Sequence, residues 1–180
     1  MRFLGILDLL NSPIIIILII VLGIALFVSL TSLKANPKLV IKDIAKVLDD
    51  NNITFTINDS NCKDYTFNLT VDNTIYTVLV LPIEKFAEVT INNFNTWEMH
   101  YGAGDRPGKA QPFKNKIVEI PNFMKLDKEN KIVIIQPNAK QIVYWKNENE
   151  IVDVLPNNKI YNVNVVNLTD LPKLFVKESK

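Results

Sequence analysis

From Leu9 to Leu33 the chain carries no charged side chain, and within 14–28 only Gly23 departs from strongly apolar residues and alanine. A helix needs about 20 mostly apolar residues to cross the hydrocarbon of a bilayer. The run therefore predicts a transmembrane helix over residues 13–33, after a short lead over 1–12 and before a domain over 34–180. Ser12 suits the helix cap, and Pro13 suits the first helical position, where its missing N–H costs nothing. A cleaved secretory signal would have an apolar core of about 7–15 residues and a small-residue cleavage site. This core is longer, and Leu33 and Lys34 spoil the approach to Ala35. A retained signal anchor is the expectation.

Lysine placement predicts the direction of the span, because positive charge flanking a span stays in the cytoplasm. Lys34, Lys38, Lys42 and Lys46 follow the run, whereas Arg2 alone precedes it. The expected protein is thus a single-pass membrane protein with a cytoplasmic C-terminal domain. Its whole-chain charge gives no further direction: 20 Lys and Arg against 19 Asp and Glu leave +1, which exerts no general pull on nucleic acid. One cysteine, Cys62, excludes an intramolecular disulfide.

After the anchor the hydrophobic period changes twice. Val40, Ile44, Val47 and Leu48 recur at helical spacing behind Asn36-Pro37, so a helix is predicted there. Its lysines at 38, 42 and 46 repeat every four residues, a basic stripe suited to anionic headgroups. Ile53–Ile57, Tyr65–Val71 and Ile75–Leu81 then read as three strands, with Asp72-Asn73 as a two-residue turn and Pro82 as a stop. Further strands are expected at 88–91, 116–120, 131–135, 151–155 and 160–166. A helix is expected from Asn138 through Trp145, and a short one from Thr169. The predicted fold is α+β: a transmembrane helix, then one mixed-sheet domain with an antiparallel meander and two or three flanking helices.

The glycines of the domain, Gly102, Gly104 and Gly108, fall in one short window with Arg106, just after the only histidine, His100. Glycine permits positive φ and exposes backbone N–H groups, so such a loop can approach a partner closely. Candidate binding residues are Trp97, Tyr101, Gly102, Gly104, Asp105, Arg106, Gly108 and Lys109. The window is not a phosphate-binding P-loop: Ala103 replaces its first glycine, and Ala110 replaces the hydroxyl residue that holds magnesium. Glu98 and His100 share a face if 97–101 is extended. A metal site needs three or four ligands, with Asp72 or Asp105 as the available additions.

The order helix, antiparallel strands, strand–helix–strand resembles the restriction-endonuclease-like nucleases, in which an acidic residue and a Glu-x-Lys pair hold a divalent metal. Glu98-Met99-His100 is the nearest match, with histidine at the lysine position and Asp72 as the upstream carboxylate. The resemblance implies a degenerate metal-dependent hydrolase or nuclease relative. The preferred expectation from the residues is different: a non-catalytic domain without cofactor or bound metal, held at the bilayer and binding a protein partner or a membrane-associated assembly.

Overall fold

The computed structural model describes residues 17, 19–23, 37–60 and 62–176. The lead 1–12 and nearly all of the expected span 13–33 lie outside these residues, as do Lys34 and Asn36; residues 17 and 19–23 are helical and exposed. Among the described residues no helix is long and apolar enough to cross a membrane. The chain divides into two compact units, Met1–Asn36 and Pro37–Lys180.

The second unit is a mixed α+β fold with two sheets and few helices. Helix α1 (Pro37–Asp50) buries Val40, Ile44 and Leu48 and exposes Lys42 and Lys46, as a spacing of four requires of a helix lying on a core. Strands β1 (Phe55–Asp59), β2 (Phe67–Val71) and β3 (Thr74–Pro82) form the expected antiparallel meander. Asp72 and Asn73 turn it with φ of 48° and 64°, the pair of left-handed residues that a tight hairpin demands.

The remaining strands are β4 (Glu88–Asn93), β5 (Thr96–Tyr101), β6 (Phe113–Lys116), β7 (Lys131–Gln136), β8 (Gln141–Asn147), β9 (Glu150–Asp153), β10 (Lys159–Ile160) and β11 (Val163–Asn167). They do not join one sheet, which corrects the expectation of a single mixed sheet. Sheet A runs β1-β2-β3-β7-β11-β10, and sheet B runs β6-β5-β4-β8-β9. Pro82 ends β3, and residues 83–87 carry the chain across to β4. Ile83 N–H donates to Gln136 O at 3.1 Å, and Ala87 N–H donates to Glu84 O at 3.0 Å. A second corner, from β7 to β8, is clamped by Asn167, whose side chain accepts from Ala139 N–H at 2.8 Å and donates to Ala139 O at 3.2 Å. The two corners lie side by side, because β7 is parallel to β3 and β8 is parallel to β4.

The central strands of sheet A, β3, β7 and β11, are buried on both faces, and β7 and β11 read accordingly as nearly continuous buried runs. Val78, Ile132, Ile134 and Val166 face α1 in one core, while Leu79, Leu81, Val133, Ile135 and Val165 face sheet B in another. Sheet B contributes Val89, Ile91, Trp97 and Ile142 to that second core. A short helix α2 (Ile120–Lys125) closes it with Ile120, Phe123 and Met124. Lys131, only 5% exposed, donates from Nζ to Met124 O at 2.9 Å and Leu126 O at 3.2 Å, satisfying the carbonyls where α2 ends. Burial pushes its ammonium below the ordinary lysine value, with Asp127 partly opposing the shift.

Local pattern misleads in three further places. The helix expected from Asn138 is strand β8: Ile142 is buried and Tyr144 packs on the core while Trp145 is exposed, a period of two that pairing with β4 enforces. The strand expected at 116–120 ends at Lys116, and Pro121 instead sits in the first turn of α2. The strand expected at 160–166 is split by Tyr161 and Asn162, with φ of 52° and 66°, into β10 and β11. The last helix appears as a 3-10 helix (Leu168–Leu174) holding Pro172.

Because β7 is packed on both sides, Ile134→Ala is expected to cost about 2–5 kcal/mol of unfolding free energy, whereas Lys42→Ala should cost under about 0.5 kcal/mol. Urea denaturation of both variants measures the difference; equal losses would contradict the two-core architecture.

Candidate functional site

Strand β5 separates the candidate residues by its own alternation. Trp97 points into the core and is fully buried, so it offers no surface to a ligand. Glu98 and His100 point to the outer face of sheet B, where the register sets Thr90 and Glu88 beside them on β4, and Lys116 and Lys114 beside them on β6. Their shared face is as expected: His100 Nε2 lies 3.8 Å from Glu98 Oε2. Lys114 Nζ sits closer to that oxygen, at 2.8 Å. Burial pushes Glu98 upward. Hydrogen bonds from Lys114 and Asn92, with the charges of Lys114 and His100, outweigh it and hold the carboxyl below its ordinary value.

Within this cluster Glu98 is already paired with Lys114 on the sheet face. Among the described residues no group of three or more His, Cys, Asp or Glu side chains converges on a metal site. Asp72 belongs to the β2–β3 turn of sheet A, and Asp105 is an exposed residue of the loop after β5. The carboxylates that the nuclease resemblance would combine are therefore divided between the two sheets. His100 Nε2 is buried without a hydrogen-bond partner, which leaves Glu98 as its nearest polar neighbour.

The glycine window is the connection from β5 to β6, residues 102–112. Gly102, at φ +106°, lies beneath the Phe113 ring so closely that a Cβ there would stand 2.4 Å from Phe113 Cδ2. Tyr101 packs against the same ring, with centroids 5.6 Å apart, and its hydroxyl accepts from Asn115 Nδ2 at 3.0 Å. Gln111 anchors the loop: its Oε1 accepts from Ala103 N–H at 2.8 Å and its Nε2 donates to Phe86 O at 3.2 Å. No local sequence signal marks Gln111, because its partners lie 8 and 25 residues away. Asp105, Arg106, Gly108 and Lys109 stand exposed at the tip, with Gly104 half-buried beside them. Gly104 and Gly108 have φ of +61° and +69°, so the tip uses the backbone freedom that glycine provides.

A second surface, which the sequence reading does not single out, forms at the opposite end of β4 and β8. Phe94, in the β4–β5 turn, meets Tyr161 edge-on at 5.8 Å, and Tyr161 meets Tyr144 edge-on at 5.6 Å. The two tyrosine hydroxyls are 3.4 Å apart. That hydrogen bond, aided by burial, pushes Tyr161 up to about 12. Phe94 and Tyr161 remain 37% and 36% exposed, whereas Trp145, 37% exposed, lies on the other face of β8 from Tyr144 and pairs across the strands with exposed Ile151. These residues come from three separate turns or strands, so only the fold assembles them.

Two open clefts, about 560 and 690 Å³, lie around the Asp72-Asn73 turn. Neither is lined by Glu98, His100 or the glycine loop. Cys62 is an exposed thiol, 3.8 Å from an Asp64 carboxylate oxygen. No family model, curated protein or solved structure matches the chain.

Because the folded pKa of Glu98 is lowered, its ionised form contributes stability at neutral pH that is lost as pH falls below the ordinary 4.5 and through the folded value. Glu98→Gln should therefore destabilise the protein at neutral pH and lose less than the wild type on acidification. Denaturant unfolding across that range tests this; parallel curves would mean that Lys114 does not stabilise the carboxylate.

Proposed function

We propose that this protein is a single-pass, membrane-anchored binding protein whose α+β domain stands at the cytoplasmic face and engages a protein partner without catalysis. The anchor rests on the uncharged run 9–33, and the direction rests on the lysines that follow it. The single observation that carries the binding role is the part-exposed aromatic cluster of Phe94 and Tyr161 stacked with Tyr144. Exposed, mutually stacked aromatic side chains of this kind are enriched at the centres of protein interfaces, where rigid rings give large contact area at small entropic cost.

The aromatic cluster and the start of α1 lie at different ends of the domain. Gln136 Nε2, at the end of β7, donates to Asp43 Oδ2 in the middle of α1 at 2.9 Å, and the helix then leads to β1, whose Phe55 pairs with Val71 at the far end of sheet A, so α1 starts on the side of the corners that begin β4 and β8. The aromatic residues lie where β4 and β8 finish. Confinement to a membrane raises the effective concentration of the domain near membrane partners, so that a weak contact suffices. The metal-dependent hydrolase alternative has the Glu98–His100 pair in its favour but lacks a third ligand among the described residues.

The test combines fractionation with site-directed crosslinking in intact membranes. The full chain should resist carbonate extraction, and a photo-crosslinker at position 94 or 161 should capture one defined protein. Phe94→Ala and Tyr161→Ala should each weaken that capture about tenfold or more, as interface centres do. Extraction with the soluble fraction would refute the anchor, and undiminished capture in both variants would refute the aromatic interface.

A further inference from the structure

The charges of α1 run against its own dipole. The positive end of a helix dipole favours acidic residues in the first turn and basic ones in the last, each contributing about 0.3–1 kcal/mol. Helix α1 has no acidic residue in its first turn and no basic residue in its last. Lys38 lies in the first turn instead, followed by Lys42, and the helix ends on Asp49-Asp50. Helix stability does not account for this order, so another negative surface at the α1 start is the physical counterpart to seek.

The register places more cationic groups at that end. His100 pairs with Glu88, and Glu88 with Gln141, so the glycine loop after Tyr101 and the 83–87 corner gather beside the β7–β8 corner that α1 overlies. Gln111 ties the loop to Phe86 directly. Lys85, Arg106 and Lys109 project from these segments, and among the described residues none of them belongs to an ion pair. Lys85 rests 4.9 Å over the Phe86 ring, and Phe113 beside the loop is 57% exposed. Glu84 and Asp105 are the opposing charges in the same segments. Basic side chains interspersed with exposed aromatic rings suit the headgroup layer of a bilayer, where rings enter the interface and each cation near an anionic surface contributes about 1 kcal/mol.

We infer that this end of the domain is a lipid-docking face, on which Lys85, Arg106 and Lys109, with Lys38 and Lys42 of α1, bind the anionic headgroups of the bilayer that holds the chain. The inference rests on the proposed anchor and deepens it, assigning the glycine loop to lipid and leaving the aromatic end to protein. Only residues 34–36 separate the expected span from Pro37, a reach of no more than about 14 Å across four Cα steps.

Hydrogen exchange on the full chain in lipid nanodiscs tests the inference. Discs of phosphatidylcholine alone are compared with discs that also contain phosphatidylglycerol. Residues 83–87 and 102–112 should exchange roughly fivefold more slowly in the anionic discs, and the combined K85E, R106E and K109E variant should abolish the difference. These side chains are exposed, so thermal unfolding of the variant should match the wild type and exclude a folding defect. Equal exchange in both discs, with the protein retained in them, would overturn docking while leaving the anchor standing. Failure to enter either disc would overturn the anchor and docking together. A photo-crosslinker at position 109 that captures a protein rather than lipid would also overturn the lipid assignment.

Discussion

Burial of the central strands of sheet A on both faces is the constraint from which the other features follow. Its central strand β7 sends Ile132 and Ile134 towards α1, and Val133 and Ile135 towards sheet B. A strand so enclosed leaves no room for a second orientation of either neighbour. Helix α1 must lie with Val40, Ile44 and Leu48 down and Lys42 and Lys46 out, and sheet B must present Trp97 inward and Glu98 and His100 outward. The two corners from β3 to β4 and from β7 to β8 then fix where the loops gather. Chemistry in this domain is thus displaced to its ends and its outer faces, because its interior is filled by apolar side chains.

Period was legible in the sequence wherever one face of an element is buried. The alternation of Phe67, Leu69 and Val71 and the spacing of Val40, Ile44 and Leu48 both report a single buried face. Long-range choice was not legible. Whether β4 extends sheet A or starts a second sheet depends on hydrogen bonds such as Ile83 to Gln136, across more than fifty residues. Residues 138–145 contain apolar positions compatible with either period, and pairing with β4 decides for the strand. Trp97 reads as a binding residue from its place just ahead of the glycine window; one step along a strand reverses the face, and the ring is in the core. The aromatic end was invisible for the same reason as Gln111, since its members are remote in sequence and meet only in the fold.

In the proposed arrangement the domain is polar along its length. Cations and the glycine loop mark the end at which α1 starts, and α1 runs from lysines to Asp49-Asp50. The acidic-rich Asp127–Glu129 segment lies where β7 begins, beside the Asp72-Asn73 turn. In that arrangement the cationic end would face an anionic surface. The stacked aromatic residues are then carried outward on the stems of β4 and β8, where a partner meets them without competing with lipid. The Glu98–Lys114 pair lies between the two ends and stabilises the exposed edge of sheet B, with lysines on β6 discouraging further strand addition.

The most direct measurement of this account is the height of each end above the bilayer. Donor dyes placed singly at positions 109 and 148 of the full chain, in a Cys62→Ser background, are read by energy transfer to acceptor headgroups in nanodiscs. The account predicts markedly stronger transfer from position 109 than from position 148. Equal transfer from the two positions, or stronger transfer from 148, would contradict it.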